Sequence, residues 1–369
     1  MRVTELRLTD ASAHARGIAY GAEMGGEVRR TIELYRQAYE VMGVPAGVVD
    51  EVVAGSLEAV RDWAPTQWEE LTGLASSAGA SMHDLMLLTA RTEILAHAPV
   101  GVLECSTVVA LHDDRRPMTM QTWDWHGELV PTGVMLELHL PGGSDAPARV
   151  VRTFSETGMV GKIGVTAPAG GHGGLGVHFN ILHHASDRAA IGVPVHVVMR
   201  RILDEASSVD DAVALARSAT VGASTVLTVV QGASASAPAR AASLELAPEG
   251  VAVVEAQEGF LAHTNHFLDP QLAAGEATSD TSTTGPRYDH TVAQRAAIGA
   301  ADDAVSMAAA MCGAAGADAP VCVRVKPAAS LSDRWETLLT ASLDVVAGAI
   351  DWFAGPPSGL DAGTVRRFG

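Results

Sequence analysis

The sequence predicts an α+β protein built as a four-layer α/β/β/α sandwich, entered through a helical N-terminal segment. Three observations predict it. Apolar positions recur at helix spacing through the first hundred residues. After Pro99 the texture changes to short β-branched and aromatic runs separated by turn residues. Helical patterns then return and give way to strands again, an order that stacks helices, sheet, sheet and helices. At 369 residues and 47% apolar, one large layered domain can hold the core.

Taken in order, Ile32, Leu34, Tyr35, Ala38, Tyr39 and Met42 mark one helix, and Val49, Val52, Val53, Leu57 and Val60 a second. Pro65 suits a helix start, with Glu69 and Glu70 in the early turns. Ser81 followed by Asp84 is a capping signal for a helix carrying Leu85, Leu88, Ile94 and Leu95, with Arg91 and Glu93 near its end. Cys105–Leu111 and Met118–Trp123 read as a hairpin about the turn His112–Pro117. Val134–Leu140 and Arg149–Phe154 form a second pair around Gly143-Ser144-Asp145, and Gly158–Val165 and Gly174–Ile181 extend the sheet across the glycine-rich stretch 169–174. Helices are expected at 192–205 and 208–219, then strands at Thr225–Val230, Ala242–Ala247, Gly250–Ala256 and Gly259–Thr264. Residues 269–286 read as a surface loop, followed by helices at 289–299 and 302–313 and last strands near 320–326 and 336–350.

Composition narrows the function. A net charge of -18 argues against nucleic acid, whose phosphates need a basic surface. Lys162 and Lys326 are the only lysines, so arginine carries almost all the positive charge. Three cysteines, Cys105, Cys312 and Cys322, form no disulfide framework, and the plain reading of the last two is small buried apolar groups. The first ten residues lack an apolar signal core, and no run approaches the ~18 apolar residues of a spanning helix. The expectation is a soluble cytoplasmic protein with no membrane partner.

The chemistry centres on Cys105, in Glu104-Cys105-Ser106-Thr107. Gln121-Thr122-Trp123-Asp124-Trp125 lies downstream, and Val177-His178-Phe179-Asn180 and His263-Thr264-Asn265-His266 lie further on. A lone cysteine at a strand start is ordinarily structural. Here the strand is entered through a loop with Pro99 and Gly101, which can bend the Glu104–Cys105 bond so that the thiol faces the preceding carbonyl. An N→S acyl shift and hydrolysis then leave an N-terminal cysteine. That changes its reactivity. A thiol of pKa about 8.5 is only slightly ionised at neutral pH, whereas an α-amino group of pKa about 7.7–8.0 sits within reach of its own side chain and can take the thiol proton. The tetrahedral intermediate needs oxyanion donors, for which an asparagine side chain is a usual source.

Other readings of the same residues are weaker. The histidines match no standard zinc spacing, and HxxH in an extended segment should put its two rings on opposite faces, so no metal is expected. Gly158-Met-Val-Gly161-Lys162 lacks the spacing and the Ser/Thr of a phosphate loop. Asp124 between two tryptophans has a strand-end charge as its bland alternative, Asn265 a turn residue, and Arg91 a structural ion pair.

Four segments, in this order, resemble the peptidase C45 family, the acyl-CoA:6-aminopenicillanate acyltransferase-like N-terminal-nucleophile hydrolases. They are Leu88-Thr-Ala-Arg91-Thr-Glu93, then Glu104-Cys105-Ser-Thr107 with Gln121-Thr-Trp123-Asp124, then Glu156-Thr-Gly-Met-Val-Gly-Lys162-Ile-Gly164 running to Asn180, and His263-Thr-Asn265-His266. The resemblance implies the N-terminal-nucleophile sandwich and self-cleavage between Glu104 and Cys105. The products would be a helical 1–104 chain and a 105–369 chain, which stay associated as one domain. It implies Cys105 as nucleophile, Asp124 at the new amine, Asn265 as oxyanion donor, and Ser224 and Arg334 as further catalytic positions. Asn180, Arg91, Thr107 and Trp123 are implied as supporting or substrate-binding residues. The implied activity is a cysteine amidohydrolase or acyltransferase acting on a small N-acyl or aminoacyl amide, or an acyl thioester. No cofactor is implied beyond CoA thioester as a co-substrate.

The chain departs from the family pattern in three places. Glu104 stands where the family type has glycine, the glycine loop at 170–174 is an insertion, and Asp333 replaces a serine before Arg334. Glu104 and Asp333 motivate a contrasting reading, an uncleaved and inactive scaffold that keeps the fold and binds a ligand.

Overall fold

The computed structural model describes residues 1–98, 104–143, 147–325 and 334–369, with Glu104 described by its backbone alone. Pro99, Gly101, Ser144, Asp145, Lys326 and Asp333 lie outside the described residues.

An eight-stranded sheet runs in the order β1-β4-β5-β6-β7-β8-β9-β10. Its members are β1 (Arg2–Leu8), β4 (Thr132–Leu140), β5 (Arg149–Glu156), β6 (Ile163–Thr166), β7 (Leu175–Ile181), β8 (Thr225–Gln231), β9 (Arg240–Ala247) and β10 (Gly250–Glu255). A six-stranded sheet runs β11-β2-β3-β12-β13-β14. It is made of β11 (Phe260–His263), β2 (Glu104–Ala110), β3 (Met118–Trp125), β12 (Glu336–Asp344), β13 (Ala349–Phe353) and β14 (Arg366–Phe368). All pairs are antiparallel except β1 on β4.

The inner faces meet where β2 crosses β7 and where β12 and β13 cross β6. Helices α6 (Val195–Glu205) and α7 (Val209–Ser218) cover the larger sheet, and α8 (Thr284–Ala293), α9 (Arg295–Ala300) and α10 (Ala304–Cys312) cover the smaller. This is the expected four-layer sandwich. Strands β3 and β7 are buried along their whole length although polar residues recur in both, Thr119, Gln121, Thr122 and Asp124 in β3 and His178 and Asn180 in β7, so these side chains must find partners between the layers.

The N-terminal segment holds α1 (Ala13–Val41), α2 (Ala46–Trp63), α3 (Pro65–Ala78), α4 (Met82–Thr89) and α5 (Arg91–Leu95). Pro65 opens α3, and Ser81 and Asp84 form a reciprocal capping box on α4. α1 and α3 touch backbone to backbone: a Cβ on Gly17 would fall 1.9 Å from the carbonyl oxygen of Glu70, and one on Gly73 2.1 Å from that of His14. Glycine there lets two helices approach more closely than any side chain allows.

Five expectations are corrected. The N-terminal segment opens with β1, an edge strand whose exposed or half-exposed residues, all but Leu8, carry little apolar alternation to betray it. Strand β6 begins only at Ile163, because 157–162 form a turn with Gly158 at φ 97°. Residues 321–325 are irregular; Val321 and Cys322 are buried under α10, so their apolar run marks packing, with no strand ladder. The stretch 336–350 is the hairpin β12–β13, turned at Gly348 with φ 66°. The expected loop 269–286 also does more than cover surface. It contains a 3-10 turn at Leu272–Gly275 and starts α8 at Thr284, bringing Arg287 inside.

Candidate active site

The hairpin of β2 and β3 fixes the site. Cys105 lies opposite Trp123, Thr107 opposite Gln121, and Glu104 opposite Asp124. Residues paired across an antiparallel ladder share a face. Cys105, Thr107, Gln121 and Trp123 therefore look into the space between the sheets, where Trp123 meets Phe154 at 5.3 Å between ring centroids. Ser106 alternates to the helix side.

Cys105 is held by its backbone on both sides. Its N–H donates to Asn265 Oδ1 at 2.8 Å, and its carbonyl accepts from Arg287 Nη1 at 2.5 Å. The same Nη1 reaches Ser106 Oγ at 3.0 Å, and Nη2 reaches Asn265 Oδ1 at 2.9 Å. Two donors thus converge on one amide oxygen, while Asn265 Nδ2 donates to the Ile181 carbonyl at 2.8 Å. That pattern fixes which end of the amide is oxygen. Asn265 is placed in turn by Thr284, whose hydroxyl accepts its N–H at 2.8 Å, and by Thr278, which donates to its carbonyl at 3.1 Å. Asn265 thus holds the cysteine nitrogen, and its own N–H group points at Ile181, whereas the sequence led us to expect an oxyanion donor.

Beneath the thiol lies a buried polar network. Thr107 donates to Asn180 Oδ1 at 2.7 Å and Gln121 Nε2 to the same oxygen at 3.1 Å. Asn180 Nδ2 reaches the carbonyls of His263 and Thr264 at 3.3 and 3.1 Å, tying β7 to the end of β11. Gln121 Oε1 accepts from the Phe179 N–H at 3.1 Å, completing an amide pair between the sheets. These bonds satisfy groups that would otherwise be costly in a dry core.

Deeper still, Glu156 gathers three partners from different elements. It accepts from the Tyr35 hydroxyl of α1, pairs with Arg91 Nη2 of α5 at 3.1 Å without hydrogen-bond alignment, and faces Lys162 Nζ at 3.6 Å. Arg91 stacks over Trp125 and Lys162 over Trp123, each 4.5 Å from the ring centroid. Two cations thus share one carboxylate in the interior. Burial pulls the Lys162 ammonium down to about 7, and the neighbouring Arg91 charge adds to the shift. The Cys105 thiol moves the other way. Burial and then the Asp124 carboxylate push it up to about 11, against the pull of Lys162, Arg287 and the Asp124 backbone N–H bonded to its sulfur.

The structure therefore gathers Cys105, Asp124, Asn265, Thr107, Trp123, Asn180 and Arg91 around one strand pair. It places Ser224 and Arg334 differently. The Ser224 hydroxyl donates to Asp187 Oδ1 at 2.6 Å at the start of β8. The Arg334 side chain is 44% exposed and pairs with Glu128 at 2.7 Å, while its carbonyl accepts from the His126 ring. The histidines of 263–266 are not on opposite faces: β11 ends at His263, the chain bends, and the two rings come within 6.5 Å. His263 is committed to Glu245 at 2.7 Å, and among the described residues no cluster of His, Cys, Asp and Glu is arranged to hold a metal. Arg287 was missed in the sequence. Pro286 beside it is a helix-start signal, which would have put this arginine in a first helical turn instead of a loop.

The sequence profile of the acyl-coenzyme A:6-aminopenicillanic acid acyltransferase family matches residues 111–358, more than half of the chain. Asp124, Lys162, Asn180, Asn265 and Arg287 fall inside that span, and Cys105 just before it. A curated relative is the acyl-coenzyme A:6-aminopenicillanic-acid-acyltransferase 40 kDa form of Emericella nidulans, 24% identical over 255 residues. The match covers 68% of this chain and 66% of that protein, just under two thirds of its length. A solved structure of conjugated bile acid hydrolase from Clostridium perfringens aligns at 10% identity and TM-score 0.47, covering 72% of this chain and 92% of that one. Penicillin V acylase from Agrobacterium tumefaciens aligns at 15% and 0.42, covering 68% and 83%. On the family profile, with the hairpin, Asn265 and the four layers in the expected order, the chain belongs to the acyl-coenzyme A:6-aminopenicillanic acid acyltransferase family.

Proposed function

We propose that the protein is an autoprocessing cysteine amidohydrolase or acyltransferase whose nucleophile is Cys105. Scission of the Glu104–Cys105 bond yields 1–104 and 105–369, which remain docked through the contacts of α1 and α5 with Glu156 and Trp125. The freed α-amine then takes the thiol proton, the thiolate attacks the carbonyl of a small N-acyl or aminoacyl amide or an acyl thioester, and the acyl group rests on sulfur before passing to water or an amine. The family's name and that of the relative support acyl transfer as the reaction class. A CoA thioester is the co-substrate consistent with those names.

One observation carries this reading: the backbone of Cys105 is gripped on both sides, nitrogen by Asn265 and carbonyl by Arg287, while its thiol faces the interior. In an ordinary strand the next strand's backbone fills these positions; here β11 ends at His263 opposite Thr107, and two side chains take over at Cys105. For a cysteine about to lose its upstream anchor, the two contacts keep the new terminus in place, and Asn265 Oδ1 becomes an acceptor for the amine. Asp124, whose backbone N–H already bonds the sulfur, supplies the negative charge that favours the ammonium form between turnovers. Asn180, Thr107 and Trp123 hold the wall behind the thiol. Ser224 and Arg334 remain proposals as further catalytic positions, Ser224 being bonded to Asp187 and Arg334 paired with Glu128.

The test is a denaturing gel of wild type beside Cys105→Ala. Two pieces for wild type and a single inactive chain for the variant are expected. An uncleaved but active wild type would overturn the proposal, and an uncleaved, inactive one would favour the scaffold reading.

A further inference from the structure

Before scission, the base assigned to turnover does not exist: the nitrogen of Cys105 is an amide, and its N–H is donated to Asn265. The first cut needs a different proton acceptor for the thiol. Lys162 is buried, and its Nζ lies over Trp123, the residue directly across the ladder from Cys105 and on the same face. It interacts electrostatically with the Cys105 thiol. A turn carries it there, with Gly158 at φ 97° and its N–H donated to Tyr20 at 2.9 Å. The histidines nearby are unsuited. His178 is pushed by burial down to about 3, and burial lowers His196 well below the ordinary histidine range.

Resting on the proposed function, we infer that Lys162 is the general base of the maturation step and that the α-amine replaces it in turnover. The neutral Lys162 amine takes the Cys105 Sγ proton as sulfur bonds to the Glu104 carbonyl carbon, leaving the negative charge on that oxygen. On collapse the C–N bond breaks, and the Lys162 ammonium returns its proton to the departing Cys105 nitrogen. The products are a Glu104 thioester and a free α-amine. One water then cleaves the thioester, giving the Glu104 carboxyl group and the Cys105 thiol. Lys162 ends as it began, so the cut requires no other co-reactant.

The charge environment supports this cycle. Lys162 is faced by Glu156 on β5, Arg91 on α5, Cys105 on β2 and His196 on α6, with Tyr35 of α1 behind Glu156. One carboxylate is shared by two cations. An ammonium added at Lys162 is therefore poorly compensated until a negative charge appears on sulfur or on the tetrahedral oxygen, so the pair is stabilised together as the reaction proceeds. With the amine at about 7, the neutral form is available at physiological pH.

The experiment follows scission of chain made by cell-free translation and shifted from about pH 6 to about pH 9. In wild type the rate should rise about tenfold per pH unit on the acid side and level above about 7; a flat profile overturns the inference. Lys162→Arg keeps the charge and stack but cannot release a proton, so it should slow scission at least 100-fold while its near-ultraviolet circular dichroism matches Cys105→Ala. Lys162→Arg that splits at the wild-type rate overturns the inference alone, whereas a wild type that never splits sinks the proposed function as well.

Discussion

Cys105 and the pair Cys312–Cys322 are three buried thiols in very different company. Cys312 and Cys322 face each other at 3.7 Å among Met307, Met311, Val321 and Leu360, beneath the smaller sheet. Cys105 has Asn265 on its nitrogen, Arg287 on its carbonyl, and Asp124 and Lys162 within electrostatic reach of its sulfur. Burial is common to all three, so burial does not mark a working cysteine. The mark is charge retained in the interior, since each buried ion costs several kcal/mol unless its partners are well placed. The fold accepts that cost among the helices, at Arg16, Glu70, Arg200 and Asp204, and again at Glu156, Arg91, Lys162 and Arg287 beside the strand pair that carries Cys105; the second group is the one that reaches a thiol.

Three substitutions would break or sharpen this contrast, in falling order of effect. Arg91→Met removes one of the two cations on Glu156 and leaves the carboxylate with Lys162 and Tyr35. We expect a loss of about 3–5 kcal/mol, measured by urea unfolding of the Cys105→Ala background, which keeps the chain intact. A loss below about 1 kcal/mol would mean the cluster is solvated and not structural. Asn265→Ala deprives the Cys105 N–H of its acceptor and leaves Arg287 Nη2 and the Ile181 carbonyl without that side chain. Scission and turnover should each fall about 100-fold; wild-type scission with impaired turnover would return Asn265 to an oxyanion role. Cys312→Ala shortens a side chain in an apolar layer and should cost about 1 kcal/mol with scission unchanged. A defect in processing there would erase the distinction drawn between the two thiol environments.

The strand pair around Cys105 was legible because two-residue alternation and a turn of charged residues are local signals, and the helix of Ser81 announced itself by its cap. Asn180 and Thr107 were legible only through the family resemblance; that they bond each other is a fact of sheet packing, not of spacing. Arg287 was hidden. The residues before it form no apolar period, and the segment is stitched by side-chain bonds to Asn265 and His266 that no local pattern encodes. Edge strand β1 escaped for a related reason, since its partner β4 lies more than a hundred residues away. The apolar Val321–Val325 stretch misled in the opposite sense: β-branched residues pack well without forming a ladder. Lys162 was visible as one of two lysines, yet its meaning depends on Trp123 and Glu156, which the fold brings to it from two different sheets.

The most direct test reads the new terminus itself. The purified wild-type protein is denatured and treated with 2-cyanobenzothiazole, which condenses only with the 1,2-aminothiol of an N-terminal cysteine, and is then weighed intact. The account predicts two masses meeting at the Glu104–Cys105 junction, with the label confined to 105–369. An active preparation that weighs as one unlabelled chain of 369 residues would contradict it.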